Sequence, residues 1–539
     1  MMVPRPRRRR FSGAAAAWMT VAISPAAAQP PITAETLTDN DVREAIDAIV
    51  GELYVRKHPT RFWEPARVPT GQSKQTAGYT ALAVLALLYA GQSYQHPELR
   101  DAVAYLQRVS VDGTYAVAVR LNIWAMLPPK FGDLLATDTR WLTDGFSAAA
   151  GGWTYRQAPN TIRRDNSITQ YGALGLWEAA KRGQKIDRSY WQRLEERFQK
   201  MQLADGGWNY TGDGPATGSM TAAGLATLFI TQDLLHAREF LTTGGSPAGR
   251  SQEAIERGLQ WMQRNFSPTQ NPGRDEYFFY YLYAVERVGL ASGYKYFGTH
   301  DWFREAAAEV IGRLLRRDPV TGTLTVRDSN APRARRGSVK LHHLAFGLLL
   351  LSRGRVPVAF NKLEAPGIAW NNRPRDVANL TRRLSSDTET ALNWQIVSIN
   401  AEPHEWLDAP VLYLASHQAV PWAAQSAALA KLTRYLDLGG LIFAVNEGRS
   451  HAFAHSIEAM GQTMYPQLKW RTLPADHWVY TILWPIETRR PPLRGLSNGV
   501  RELIILSPDT DFSAAFQVGV PGHPDNPAVS RHPAHIYLS

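Results

Sequence analysis

Gln202-Leu203-Ala204-Asp205-Gly206-Gly207-Trp208-Asn209-Tyr210, followed by a short Gly/Pro loop and then Ser219-Met220-Thr221-Ala222-Ala223-Gly224-Leu225-Ala226-Thr227-Leu228-Phe229-Ile230, decides how the first two-thirds of the chain fold. It joins the end of a charged amphipathic helix to a helix with almost no charge. Two glycines make the turn because they reach backbone angles closed to other residues, and Trp208 and Tyr210 can cover the helix ends that such a turn leaves bare. Gly151-Gly152-Trp153-Thr154-Tyr155 repeats the device earlier in the chain.

Working outward, the same plan recurs. Amphipathic 41–55 precedes small, apolar 76–91; 96–109, with Pro97 in its first turn, precedes 115–127; 134–146 precedes 166–181. Then 189–201 precedes 219–230, 251–265 precedes 276–288, and 301–316 precedes 339–351. The first helix of each pair carries charge on one face, as a helix with one solvated side does. The second is rich in Ala, Gly, Leu and Thr on nearly every face, as a helix buried all round must be. Six such hairpins in a ring make an (α/α)6 toroid, in which Gly172, Gly175 and the Ala222-Ala223-Gly224 run let inner helices approach closely. An open solenoid is the alternative, because period alone does not show ring closure.

Gln202-x-x-Asp205-Gly206-Gly207-Trp208 resembles the repeat of squalene and hopene cyclases, and the six-hairpin layout is similar to the toroid that those cyclases share with protein prenyltransferase β-subunits. The resemblance covers about residues 41–354 and implies the fold. The Asp-x-Asp-Asp acid of hopene cyclases is absent from the chain, and so is the cysteine ligand of prenyltransferase zinc.

After Ser352-Arg353-Gly354-Arg355-Val356-Pro357 the pattern changes. A helix at 375–384, strands at 395–399 and 411–415, a helix at 422–436, a strand at 441–445, a helix at 451–464 and a strand at 503–506 imply a mostly parallel sheet in a three-layer α/β domain. Ligands of such sheets sit at strand carboxyl ends, which here carry Ser416-His417 and Asn446-Glu447-Gly448. The runs Val411-Leu-Tyr-Leu-Ala-Ser-His417 and Tyr435-Leu-Asp-Leu-Gly-Gly-Leu-Ile442 look like a bacterial domain of unknown function related to class I glutamine amidotransferases. That resemblance spans about 360–516 and implies the fold alone, since a glutaminase needs a nucleophilic cysteine.

Composition bounds the compartment and the chemistry. Arg5, Arg7, Arg8, Arg9 and Arg10, the apolar run 11–23 and Ala26-Ala27-Ala28 have the form of an export signal, so residues 1–28 are expected to be removed by the Sec or twin-arginine route. The product is expected to be periplasmic or secreted and not an integral membrane protein. Setting those five arginines aside lowers the formal charge from +11 to +6, and no nucleic-acid role follows from it. With 0 cysteines among 539 residues, thiol nucleophiles, disulfides and Cys-bearing zinc sites are excluded. The chain divides into the signal, a toroid at 29–354 and an α/β domain at 355–539.

Candidate sites fall in two places. The outer-to-inner connections of the toroid share one end of the ring and carry Trp153, Tyr155, Arg163, Arg164, Asp165, Trp208, Tyr210, Arg274, Tyr277, Arg333, Arg335 and Arg336. Cations beside free helix-N-terminal amides suit phosphate or carboxylate, and the aromatics suit a ring-bearing body. Asp165 and Asp275 stand where a residue caps the following helix, and Asp205 is part of the turn. Adjacent His342 and His343 lie about 100° apart on a helix and suit no shared metal, so no metal or cofactor is expected. In the α/β domain Ser416, His417, Asn446, Glu447 and His477 are placed at the strand-end crevice. The expectation is an exported binding or scaffold protein that takes an anionic small molecule, lipid or glycan at the toroid mouth and a protein partner on the α/β domain. It works without cyclase, prenyltransferase or glutaminase chemistry. The alternative is a lyase or hydrolase on glycans, or a cyclase-like enzyme on isoprenoids, using rim carboxylates.

Overall fold

The structure is a computed structural model, and it describes residues 31–67, 75–163, 165–241, 249–327, 339–482 and 490–519. Its first part contains α1 (Asp39–Arg56), α2 (Gly78–Tyr89), α3 (Pro97–Arg108), α4 (Thr114–Met126), α5 (Gly132–Gly145) and α6 (Asn166–Lys181). There follow α7 (Arg188–Met201), α8 (Gly218–Leu235), α9 (Gly249–Asn265), α10 (Phe278–Ser292), α11 (Trp302–Leu314) and α12 (Leu341–Gly354). Two small ribbons, β1 (Tyr296–Phe297) with β2 (His300–Asp301) and β3 (Leu315–Arg317) with β4 (Leu324–Val326), flank α11.

The even-numbered helices form an inner layer, and α8 is buried along its whole length. Odd-numbered helices bury one stripe: in α7 this is Trp191, Leu194, Phe198 and Met201, at helical spacing. Helix α2 packs on α4, α4 on α6, α6 on α8, α8 on α10 and α10 on α12, and α12 returns to α2. The cycle therefore closes, which an open solenoid does not do.

The Gly-Gly-Trp turns are clips of one design. Gly151 (φ 67) and Gly206 (φ 93) hold left-handed backbone against the next outer helix. Trp153 and Trp208 donate their indole N–H to Leu142 O and Phe198 O, both at 2.8 Å, which satisfies the end of the preceding outer helix. Their backbone N–H groups donate to Thr169 Oγ1 and Thr221 Oγ1 on the inner helix. A Cβ on Gly172 would stand 2.5 Å from Trp153, and one on Gly224 would stand 2.6 Å from Trp208. These two glycines are seats for the indoles and not the helix-approach positions expected of them. Gly175, facing Ala118 of α4, does serve close approach of inner helices.

The second part is a seven-stranded sheet in the order β6-β5-β7-β8-β11-β10-β9. Its strands are β5 (Val358–Glu364), β6 (Asn393–Ser398), β7 (Val411–Ser416), β8 (Leu441–Asn446), β9 (Trp470–Thr472), β10 (Arg494–Ser497) and β11 (Glu502–Ser507). Neighbours from β6 to β11 in the sheet order pair parallel, and β10 pairs antiparallel with both β11 and β9, so β10 alone runs against the rest. Helices α13 (Asp376–Asp387) and α17 (Phe512–Gln517) cover one face; α15 (Ser426–Asp437) and α16 (His451–Met464), with the single turn α14 (Pro403–Trp406), cover the other. Tyr413 and Ala415 of β7 point to the first core, Leu412 and Leu414 to the second.

This domain sits on the ring where the inner helices end. Arg375 donates to Asp233 of α8 at 2.6 Å and to Ala291 O of α10, Ile396 N–H donates to Gly293 O at 2.6 Å, and Trp394 fills the space beside Gly293. The ring is thus covered at its inner-helix C-terminal end, leaving the opposite end as the candidate mouth. Among the described residues no helix is long and apolar enough to cross a membrane.

Candidate functional site

At the mouth, carbonyls of one connection feed the start of the preceding inner helix. Thr114 N–H of α4 donates to Tyr155 O at 3.0 Å, Asn166 N–H of α6 to Tyr210 O at 3.2 Å, and Gly218 N–H of α8 to Pro272 O at 2.8 Å. Asp165 accepts from Ile168 N–H at 3.1 Å and from Ser167 Oγ, which makes it the cap of α6. Thr80 N–H of α2 donates to Glu64. Amides at the starts of α2, α4, α6 and α8 are therefore already engaged by the protein, contrary to the expectation that they are free to hold an anion. Asp275 does not cap α10: its N-cap is Tyr277, without a side-chain cap bond. Asp205 is the turn residue expected, accepting from Gly207 N–H and Trp261 Nε1, each at 3.0 Å.

The rim residues separate by burial. Trp153 and Trp208, 1% and 0% exposed, are packing side chains and offer a rim ligand no surface, because the clip consumes both. Tyr155 and Tyr210 are half-buried, and Arg163 and Arg274 are exposed. Arg164, Arg333, Arg335 and Arg336 lie outside the described residues, as do residues 1–28, where an export signal is expected. The guanidinium of Arg274 lies 5.2 Å from the ring centres of both Tyr210 and Tyr277 and pairs with Glu276 at 2.9 Å. Tyr277 is exposed and adopts φ 63, a left-handed angle costly for a residue with a side chain. Burial pushes the Tyr210 hydroxyl up to about 12.

Below this rim the ring is lined by aromatics. Tyr115 meets Tyr171 edge-on at 4.7 Å, Tyr171 stacks on Tyr280 at 6.1 Å, and Tyr283 stacks on Phe346 at 5.3 Å. Tyr115 and Tyr280 retain accessible surface although burial raises their hydroxyls well above the ordinary range. Tyr171 of α6 and Tyr280 of α10 belong to helices that are not neighbours, so these rings meet across the interior of the toroid. Phe279 stacks on His343 at 4.6 Å near the start of α12, and burial pulls His342 and His343 down to about 4, so both are neutral at physiological pH. Tyr115, Tyr171 and Tyr283 were not picked out as ligand-facing from the sequence, where an aromatic on an all-apolar helix reads as core.

In the α/β domain the chain runs β5 to β6 on one side and then returns to β7, β8 and β11 on the other, so the strand order reverses between β5 and β7. Open α/β sheets bind ligands at such a point. Lys362 of β5, fully buried, donates to Asp376 at 2.6 Å and to Arg373 O at 2.7 Å, which fixes the loop after the strand. That loop carries Asn372, whose Nδ2 lies 2.7 Å from Glu447 Oε2 and 3.0 Å from His417 Nδ1. Ser513 donates to the other Glu447 oxygen at 3.0 Å. Burial pushes the Glu447 carboxyl up to about 7, against the pull of the Asn372 amide and of Arg373. A carboxyl so poised can give or take a proton near neutrality.

His417 and Glu447 are thus brought together, through an asparagine that the sequence did not single out. Ser416 is buried, donates to Ala369 O at 3.3 Å and accepts from Gln418 N–H. Asn446 is buried and spends its side chain on Pro508 O and Ser450 N–H, tying two strand-end loops together. His477 is not in the crevice. It caps the turn after β9 and faces Glu502 of β11 at 3.3 Å, on the β9–β10 edge of the sheet and away from Glu447. Among the described residues no three His, Asp or Glu side chains converge to hold a metal ion.

Residues 359–527 match the model of a family described as Domain of unknown function (DUF4159). No curated protein sequence matches the chain significantly. Among solved structures the chain is similar to the type II terpene cyclase MstE from Scytonema, with 14% identity over 58% of this chain and 99% of that one and a TM-score of 0.38. A variant of that cyclase in complex with geranylgeranyl dihydroxybenzoate shows 13% identity over 59% and 98% of the two chains, with a TM-score of 0.39. ent-Copalyl diphosphate synthase from Streptomyces platensis shows 18% identity over 48% of this chain and 50% of that one, with a TM-score of 0.30.

Proposed function

We propose that the protein is an exported two-domain receptacle. Its (α/α)6 toroid takes an anionic ligand with a ring-bearing or apolar body through the end where inner helices begin, and its amidotransferase-like α/β domain closes the other end. The observation that carries this reading is Arg274 held between Tyr210 and exposed Tyr277, at the end of the ring where the inner helices begin. A guanidinium so flanked keeps its charge and directional donors in a surrounding that favours flat rings. Export is supported by the arginine, apolar and Ala-Ala-Ala pattern of residues 1–28. A cyclase-like enzyme is compatible with a helical ring of this kind. It stands second because Asp165 already serves as a helix cap and Asp205 holds the Gly-Gly-Trp turn.

Native mass spectrometry of the gently extracted mature protein tests the reading. The expected result is an anionic adduct that is lost in the Arg274→Ala, Tyr277→Ala double variant. An adduct equally retained by wild type and variant refutes the rim assignment, and an adduct converted to a new mass on incubation moves the reading to the enzyme.

A further inference from the structure

A second cavity, of about 400 Å³, lies at the opposite end of the ring, between the C-terminal halves of the inner helices and α13 of the α/β domain. One wall is apolar, formed by Leu174, Phe229, Ile230 and Leu290. Exposed Ala391 at its edge shows where it reaches solvent. The other walls carry charge. Lys181, Arg287, Arg353, Arg375 and Arg382 all line the cavity.

Part of this charge has a structural purpose. Inner-helix carboxyl ends attract cations, and Arg375 donates to Ala291 O. Lys181 pairs with Glu178 at 2.7 Å, Arg353 with Glu286 at 3.3 Å, and Arg375 and Arg382 with Asp233 at 2.6 and 3.5 Å. Five cations therefore stand against these three carboxylates among the described residues, a surplus of two. The hydrogen bonding is incomplete in the same place. Arg287 is only 8% exposed and gives Nη1–H to Tyr283 OH at 2.7 Å, while its Nε has no partner. Trp177 Nε1 and Ser352 Oγ, which line the same cavity, are buried without hydrogen-bond partners as well, and so are the Glu286 oxygens, which have only the ion pair with Arg353. Leaving buried donors unmade is costly, and three in the lining of one cavity that also carries surplus positive charge describe the complement of an acceptor-rich anion.

We infer that this chamber binds an amphipathic anion, a carboxylate or phosphate headgroup on a short apolar body. The headgroup lies against Arg287, Trp177 and Ser352, and the body lies along Phe229, Ile230 and Leu290. At the roughly 30 Å³ that a water occupies in the liquid, the volume admits on the order of a dozen non-hydrogen atoms. The site is separate from the rim, since its walls are the far ends of the inner helices and a helix of the other domain.

The test uses the full mature chain, with octyl phosphate and octanoate as probes and octanol and inorganic phosphate as controls, read by isothermal titration calorimetry. Saturable binding of octyl phosphate at least tenfold tighter than either control is expected. Trp177→Phe, which keeps the ring and removes the donor, and Arg287→Met should each weaken it by about tenfold or more, whereas Arg100→Ala on the exposed face of α3, outside both sites, should leave it unchanged. Absence of saturable binding by both amphiphiles, octanol binding as tightly as octyl phosphate, or unchanged affinity in a folded Trp177→Phe variant would each overturn the assignment.

Discussion

Glu447→Gln isolates the energetic consequence of placing a carboxyl at the strand-order reversal. The buried group titrates at about 7 in the folded protein against an ordinary 4.5. Its folded value is raised, so the stability it permits is whole below pH 4.5 and is lost as the pH climbs through 7. At about 1.4 kcal/mol per pH unit, that interval amounts to about 3 kcal/mol of stability that wild type forfeits on going from pH 4.5 to 8. Glutamine has the same shape and no charge. Its carbonyl can accept from Asn372 and its amide can donate to Ser513 Oγ, so both bonds now made by Glu447 survive. The variant should match wild type near pH 4.5 and exceed it by about 3 kcal/mol above pH 7.5. Urea unfolding followed by tryptophan fluorescence across pH 4.5–8.5 measures the difference at each pH. A variant-minus-wild-type difference that stays flat across this range would mean that Glu447 is ionised throughout, and the proton-exchange character assigned to the crevice would fall with it.

Gly224→Ala drives a methyl into Trp208 and should cost about 1–3 kcal/mol, read as a lower urea midpoint, with Gly172→Ala doing the same against Trp153. Arg375→Met leaves Asp233 buried with a weaker partner and should cost about 3–5 kcal/mol; an unchanged midpoint would show that Arg382 alone suffices. His343→Phe removes a base whose folded value burial lowers to about 4, so the stability that wild type loses as pH falls from 6.5 should shrink in a thermal melt series. Replacing Arg333, Arg335 and Arg336 with serine should reduce retention on anionic vesicles at low salt, with a smaller difference at high salt and an unaltered melting temperature.

The helical ring was legible because its two layers differ in composition. Inner helices that are buried all round carry few charges, most of them near their carboxyl ends, while α7 and α9 carry many on one side. Less legible was what the small residues of the inner helices do. Thr169-x-x-Gly172 and Thr221-x-x-Gly224 share a spacing that puts a hydroxyl and a bare backbone on one face, and that spacing was the available signal for the indole seats. Strand β5 escaped notice because Asn361 and Lys362 interrupt its apolar run, although both are buried: one donates to Trp406 O and the other pairs with Asp376. The crevice was located from strand ends, but Asn372 comes from a loop whose path depends on that buried lysine, and no local pattern reports it. His477 was misplaced because the sequence does not show that β9 and β10 are added at the edge of the sheet, away from the strand-order reversal.

The seam between ring and sheet bears on how such a protein can be built from parts. Gly293 holds φ 79 with Trp394 pressed against it, so any Cβ there would have to displace the indole. Arg375 answers an aspartate that is 1% exposed and belongs to the other half of the chain. A foreign sheet domain of the same shape, grafted after α12, would bring neither the matching tryptophan nor the matching arginine and would leave Asp233 stranded. Exchange of either half by recombination is viable only when both sides of the seam change together, so the two halves behave in heredity as one module.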